Sequence, residues 1–205
     1  MVRDVGMGSD FKQLLASIDK DQLAKIIDRQ TAQSCGLTLD EYEALMAYNK
    51  SLQEEGALYL GKPVCEWPAL VFNWDYSQAG QHFAMDGVTA QAMLEMYPNG
   101  LRMGHMPLRE FDQNLARYCR RDSEKELWSL GSDWRLAQVI AHLRRGMPMT
   151  PPLVIRVKDE AFFSGGNHRY AAAKAVGLAV IPFYVNEDDV AEIEEILNVT
   201  WGQPR

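Results

Sequence analysis

Phe162-Phe163-Ser164-Gly165-Gly166-Asn167-His168-Arg169-Tyr170, continued by Ala171-Ala172-Ala173-Lys174-Ala175-Val176-Gly177, decides how the chain is read. Two aromatic residues run into two glycines. An amide, an imidazole and a guanidinium follow, then a run of strong helix formers that stops at a glycine. The order predicts a strand, a tight turn and a helix. Glycines let the backbone turn sharply and approach a ligand without a Cβ in the way. The first amides of the helix have no intrahelical acceptor and lie at the positive end of its dipole. Such a turn is an anion site, and phosphate is the usual anion. His168 and Arg169 add donors in the first turn, and an arginine can grip phosphate with two parallel bonds. The plain alternative is a strand-to-helix connection whose polar residues face water.

The flanking sequence gives the turn its setting. Leu153-Val154-Ile155-Arg156-Val157 reads as a strand after Pro151-Pro152, and residues 161–164 as a second strand. Val180-Ile181-Pro182-Phe183-Tyr184-Val185 reads as a third. A helix before the prolines carries Leu136, Val139, Ile140 and Leu143 on one stripe. Ser132 or Asp133 can cap it, and Gly146 ends it. Arg135, Gln138 and His142 fall at i, i+3 and i+7 and share a different, polar face. A last helix is expected over about 188–197, with residues 201–205 as a loose tail.

The chain has 205 residues and a formal net charge of -7. That length fits one domain with elaborations, or one domain plus a small helical one. The acidic balance does not favour nucleic acid over the whole molecule, so any DNA contact needs a local basic patch. Arg117, Arg120 and Arg121, joined by Arg102 and Arg109 and by Arg144 and Arg145, form the credible footprint of that kind. The plain reading is a solvated face. Cys35, Cys65 and Cys119 are scattered and form no CxxC, which suggests reduced thiols and a cytoplasmic setting. No apolar run reaches the length of a membrane span, and no signal peptide is visible at Met1-Val2-Arg3-Asp4.

Residues 9 to about 55 read as helical. Phe11, Leu14, Leu15 and Ile18 begin an apolar face that Leu23, Ile26 and Ile27 continue. Thr38-Leu39-Asp40-Glu41 is a capping box. The helix that it opens is expected to turn Tyr42, Leu45, Met46 and Leu52 inward. The turn at Cys35-Gly36-Leu37 has helix-turn-helix spacing, but Asp40, Glu41 and Glu43 on the following helix repel phosphates. A packed helical region, offering a surface to a partner protein, is the better reading. Residues 57–87, with Pro63, Trp67, Pro68, Trp74 and Ala69-Leu70-Val71-Phe72, suggest short strands and turns. Asp75, His82 and Asp86 could cluster around a metal or a proton, although their spacing matches no ligand pattern. Asp86 has a plain job as N-cap of a helix over 88–97. A further helix is expected over 107–121, opened by Pro107 and carrying Leu108, Phe111, Leu115 and Tyr118 on one face.

Residues 101–198 resemble the ParB/sulfiredoxin superfamily. The resemblance rests on the polar-faced helix, Pro-Pro and a strand, the Phe-Ser-Gly-Gly-Asn-His-Arg-Tyr turn, a helix ending Val176-Gly177, and Ile181-Pro182. It implies an α+β core, a small mixed sheet with flanking helices, preceded by a mainly helical N-terminal region. With the readings of the earlier segments from spacing and composition, the expected divisions are 1–56 helical, 57–100 a mixed extension, 101–198 the core and 199–205 the tail. In sulfiredoxins the turn reads Gly-Gly-Cys-His-Arg and holds ATP phosphates; in ParB proteins a related turn binds CTP. The resemblance therefore places a nucleoside triphosphate, most simply ATP with Mg²⁺, at Ser164, Gly165, Gly166, Asn167, His168 and Arg169. Across from them, Arg135, Gln138 and His142 match the sulfiredoxin Lys, Ser and Thr.

Asn167 stands where sulfiredoxins carry their nucleophilic Cys. An amide cannot form the covalent sulfur intermediate, so sulfinic acid reduction is rejected. Too little chain follows the turn for the DNA-binding domain of a partition protein. Size and layout resemble a third branch, the plasmid-encoded inhibitors of conjugation, whose relatives are associated with ATP hydrolysis and DNA cleavage. The implied activity is hydrolysis of a nucleotide or of a DNA phosphodiester. His168 and Arg169 would stabilise the transferring phosphoryl group, and Glu160, Asp159 or His142 would orient water or hold the metal. The alternatives are a module that binds nucleotide or DNA phosphate without cleaving it, and a pure interaction protein with a vestigial turn.

Overall fold

The computed structural model describes residues 19–202. Contacts divide the chain into two units, Met1–Asn49 and Lys50–Arg205. In the first, helix α1 spans Lys20–Ser34, and Asp19 caps it by accepting from the Asp21 amide at 3.3 Å. Helix α2 spans Leu39–Gly56. Its capping box forms as expected: Glu41 Oε2 accepts from the Thr38 amide (2.8 Å), and the Glu41 amide donates to Thr38 Oγ1 (3.3 Å). Phe11, Leu14, Leu15 and Ile18 lie outside the described residues. Among the described residues the inward apolar face forms in part: Leu23 and Tyr42 are half-buried, whereas Ile26, Ile27, Leu45 and Met46 are exposed. Leu52, in the second unit, is buried.

The second unit is a five-stranded mixed sheet with flanking helices, in the order β3-β2-β4-β1-β5. Strand β1 is Leu101–Pro107, β2 Leu153–Val157, β3 Glu160–Gly165, β4 Val180–Asn186 and β5 Thr200–Trp201. Strands β2 and β3 form an antiparallel hairpin, β2 runs parallel to β4, and β1 is antiparallel to both β4 and β5. The helices are α3 Ala90–Met96, α4 Leu108–Asn114, α5 Glu124–Ser129, α6 Asp133–Arg144, α7 Asn167–Ala175 and α8 Val190–Glu194.

The alternation along β4 explains the layers, since successive side chains of a strand point to opposite faces. Ile181, Phe183 and Val185 join the main core with Phe111 of α4, Tyr170 and Ala173 of α7, and Ile193 of α8. Phe111 stacks on Phe183 at 5.1 Å and meets Tyr170 edge-on at 6.0 Å, an arrangement that aromatic quadrupoles favour. Tyr184 turns to the other face, where it packs with Leu153 and Ala84. Ion pairs then fix α7 against α4. Lys174 Nζ donates to Asp112 (2.8 Å) and to Asp122 (2.9 Å), and the Tyr170 hydroxyl donates to Asp112.

Several local expectations change. The strands expected over 57–87 are absent apart from a bridge between Trp74 and Met149; short 3-10 turns at Val64–Glu66 and Gln78–Ala84 take their place. Thr89, not Asp86, caps α3 by accepting from the Ala92 amide at 3.1 Å. The helix expected over 107–121 stops at Asn114, because Leu115 turns extended and the Ala116 amide donates to Ala161 of β3 at 2.9 Å. Tyr118 is consequently exposed. Of the tail expected over 201–205, residues 203–205 lie outside the described residues, and Trp201 and Gly202 are tied down. Gly202 donates to Met103 at 2.9 Å, and the Trp201 indole donates to Glu194 at 2.8 Å. Among the described residues no helix is long and apolar enough to cross a membrane.

Candidate functional site

Strand β3 delivers the chain to Gly165, and Gly166 then takes a left-handed conformation, with φ of +87°, as N-cap of α7. No side chain caps the first amides of α7. The glycines have a further job. A Cβ on Gly165 would overlap the Ala84 carbonyl oxygen and lie 3.0 Å from its carbon. A Cβ on Gly166 would lie 2.7 Å from the Pro152 Cα. Both positions are therefore closed by the protein's own backbone, where the sequence suggested room for a ligand. Ser164 lies beside Met85, its Oγ 4.0 Å from the sulfur.

Arg169 also departs from its expected role as a phosphate grip. It is only 7% exposed, and its guanidinium is committed to main-chain carbonyls. Nη1 donates to Thr150 (2.6 Å) and Pro151 (3.3 Å), and Nη2 donates to Ala84 (2.8 Å). Burial holds its pKa down to about 10. Arg169 thus clamps the segment ending at Ala84 and the 150–151 segment around the turn. It is a positioning residue.

His168 faces the other way. Its Nε2 is buried with no hydrogen-bond partner among the described residues. Arg121, which the sequence placed on a basic surface, lies beside it and is only 5% exposed. Arg121 Nη2 donates to Asn167 Oδ1 at 3.1 Å, while Nε and Nη1 are buried without partners. A Cβ on Gly131, which has φ of +86°, would lie 3.1 Å from His168 Nε2 and 3.5 Å from Arg121 Nη2. Imidazole and guanidinium thus meet beneath the loop between α5 and α6, at the uncapped N-terminus of α7. Nothing local in the sequence marks Arg121 for this position. It follows Arg120, whose guanidinium goes to the Leu115 and Gln113 carbonyls (2.8 and 2.7 Å).

The facing helix α6 contributes unevenly. Arg135 pairs with Asp86, and its charge is felt at His168. Gln138 is half-buried. His142 is drawn to the end of its own helix, where Nε2 donates to the Pro148 carbonyl at 2.9 Å, and burial lowers its pKa. Glu160 is not brought to the turn. It opens β3 while Gly165 closes it, so about 16 Å separate them at the usual strand rise. Asp159 is almost fully exposed and pairs with Arg156 at 3.5 Å.

The other candidate groups are dispersed. Asp75 accepts from the Ser77 amide (2.8 Å), and His82 bonds the Ala79 carbonyl (2.9 Å). Among the described residues no group of three or more His, Cys, Asp and Glu is placed to hold a metal. The expected basic footprint does not form as one face. Arg117 pairs with Glu126 (2.5 Å), Arg144 and Arg145 both grip Glu55 (2.6 and 2.7 Å), and Arg121 points inward.

Burial first, then the charges of Arg121 and Arg135, hold His168 below the usual imidazole range, against a raising influence from Asp86 and with a further lowering from Arg169. The unfolded chain therefore takes up a proton that the folded site resists. The linked stability is intact above the ordinary imidazole pKa of about 6.5 and falls as the pH drops below it. In chloride buffer the thermal midpoint should fall from pH ~7 to ~5, and more steeply in the native chain than in His168→Gln. Superimposable midpoint-versus-pH curves for the two proteins would contradict this placement of His168.

No family model, no curated protein and no solved structure matches the chain.

Proposed function

We propose that this is a nucleotide-binding protein of the ParB/sulfiredoxin kind, which takes a nucleoside triphosphate by its phosphates at the N-terminus of α7 and hydrolyses it. One observation carries the reading: His168 presents a buried, unpartnered Nε2 at a helix N-terminus whose amides no side chain caps. A phosphate oxygen satisfies both the ring and the amides. Uncapped amides and a cationic neighbourhood favour charge on a transferring phosphoryl group, which is the main thing a protein must supply for that chemistry. Mg²⁺ enters with the nucleotide as part of the substrate. Arg135, paired with Asp86 and with its charge felt at His168, is the residue this reading assigns to the phosphate chain or sugar.

A second reading, binding without turnover, is favoured by the distance of Glu160 from the turn. It leaves Asp86 as the carboxylate whose charge reaches His168. The phosphodiester reading is weaker, since the arginines that would track DNA are engaged within the protein. A role in blocking plasmid conjugation rests on the branch resemblance alone. Purified protein with ATP and Mg²⁺ should release inorganic phosphate, and Asp86→Asn should slow the release. Saturable ATP binding with no phosphate release selects the binding module, and nicking of plasmid DNA under the same conditions restores the nuclease.

A further inference from the structure

We propose that Arg121 is the residue that fixes the anion, and that a tetrahedral oxyanion is the counter-ion this buried guanidinium lacks. The proposal rests on the reading of the α7 turn as a phosphate site, and it adds a ligand from outside the turn. Arg121 follows the 3-10 turn Arg117–Cys119 and precedes α5, so its arrival at α7 is a product of packing.

Among the described residues the charge has no carboxylate bonded to it. Two of its three nitrogens are buried and unbonded among the described residues, and the third meets a neutral amide oxygen on Asn167. Of the groups whose charge reaches it, Cys119 and Tyr170 are both held protonated, since burial pushes each pKa up. The remaining one, Glu126, is committed elsewhere: its carboxylate takes Arg117 at 2.5 Å and the Asp122 amide at 2.9 Å. Burial lowers the pKa of Arg121 itself. The other neighbours make matters worse. His168 gains nothing from a cation, and the N-terminus of a helix carries partial positive charge. An arginine buried without an anion, against a positive helix end, is strongly unfavourable. Adding one oxyanion reverses every one of these terms. It pairs the guanidinium, gives His168 Nε2 a partner and accepts from the α7 amides. The tetrahedral class follows from three sets of donors that one anion would have to satisfy together: the Arg121 guanidinium, the imidazole and the helix amides. Inorganic phosphate and the terminal phosphate of a nucleotide share that chemistry.

The test is a thermal-shift series on the full chain at constant ionic strength, with chloride, sulfate, inorganic phosphate and ATP as separate arms. The native protein should gain stability with sulfate and with phosphate over chloride. Arg121→Met, similar in length and uncharged, should melt higher than the native protein in chloride and show no gain with either oxyanion. Arg121→Lys keeps the charge with fewer donors and should need about tenfold more phosphate for the same shift; it decides the matter if the methionine variant fails to fold. Stabilisation by phosphate but not by ATP supports Arg121 as the oxyanion ligand while removing the nucleotide. Equal stabilisation of the native and Arg121→Met proteins by ATP overturns Arg121 while leaving the nucleotide site standing. No shift of the native protein with any oxyanion overturns the proposal.

Discussion

Replacing Arg169 by Leu should lower the thermal midpoint of residues 50–205 by about 10 °C. The side chain is buried, and its donors satisfy the carbonyls of Ala84, Thr150 and Pro151. Leucine fills part of the volume but donates nothing. Each orphaned buried carbonyl costs about 1–3 kcal/mol. Part of that is offset, because a desolvated guanidinium is removed at the same time. A net loss of about 3 kcal/mol remains, and a domain of this size loses roughly 2–4 °C per kcal/mol. Arg169→Lys should fall between, since one ammonium cannot reach all three carbonyls. A denaturation midpoint for Arg169→Leu within about 2 °C of the native value would show that the clamp is unimportant.

Gly165→Ala should be comparably severe, for a steric reason. The added methyl would overlap the Ala84 carbonyl oxygen and lie 3.1 Å from the Met85 Cα, and both obstacles are backbone. Neither can swing aside, so the segment ending at Ala84 must lift from the sheet. Overpacking of this kind costs about 1–3 kcal/mol, and more when backbone must move. Lifting Ala84 also pulls its carbonyl from Arg169, so the two changes destroy one shared contact. The double variant Gly165→Ala/Arg169→Leu should therefore be less destabilised than the sum of the singles, by about 1 kcal/mol or more. Urea titrations of the four proteins measure this coupling. Additivity to within about 0.5 kcal/mol would mean that the glycine and the arginine act separately.

The parts of the fold legible in the sequence are those where periodicity is strong and local. Leu153–Val157, Val180–Asn186 and the α6 stripe of Leu136, Ile140 and Leu143 form as the pattern dictates. Strand β1 was hidden because Gly104, His105 and Pro107 interrupt its alternation. Its place comes from pairing with β4 and from Val199 and Trp201, which pack against the position a Cβ on Gly104 would take. The aromatic run over 57–87 has the composition of strands, yet Trp67 and Trp128 meet edge-on at 6.0 Å and both indoles donate to the Lys62 carbonyl. Those tertiary bonds, together with the prolines, replace a ladder. At the site, the glycine turn and its helix were legible. The division of labour between its two cations was not. Arg169 looks like the phosphate ligand because it stands in the turn, and Arg121 looks like surface because it ends a basic run. Burial makes Arg169 a clamp and takes Arg121 off the surface to the side of His168, and for Arg169 it is decided by segments distant in sequence, at residues 84 and 150.

The uncapped end of α7, with His168, is the seat we propose for a nucleotide phosphate. A calorimetric titration of Mg²⁺ and ATP into the native chain and into His168→Ala tests it most directly. One saturable site in the native protein, weakened about tenfold or more when the imidazole is removed, is the predicted result. An absence of binding heat in the native protein across several temperatures, or identical isotherms for the two proteins, would contradict it.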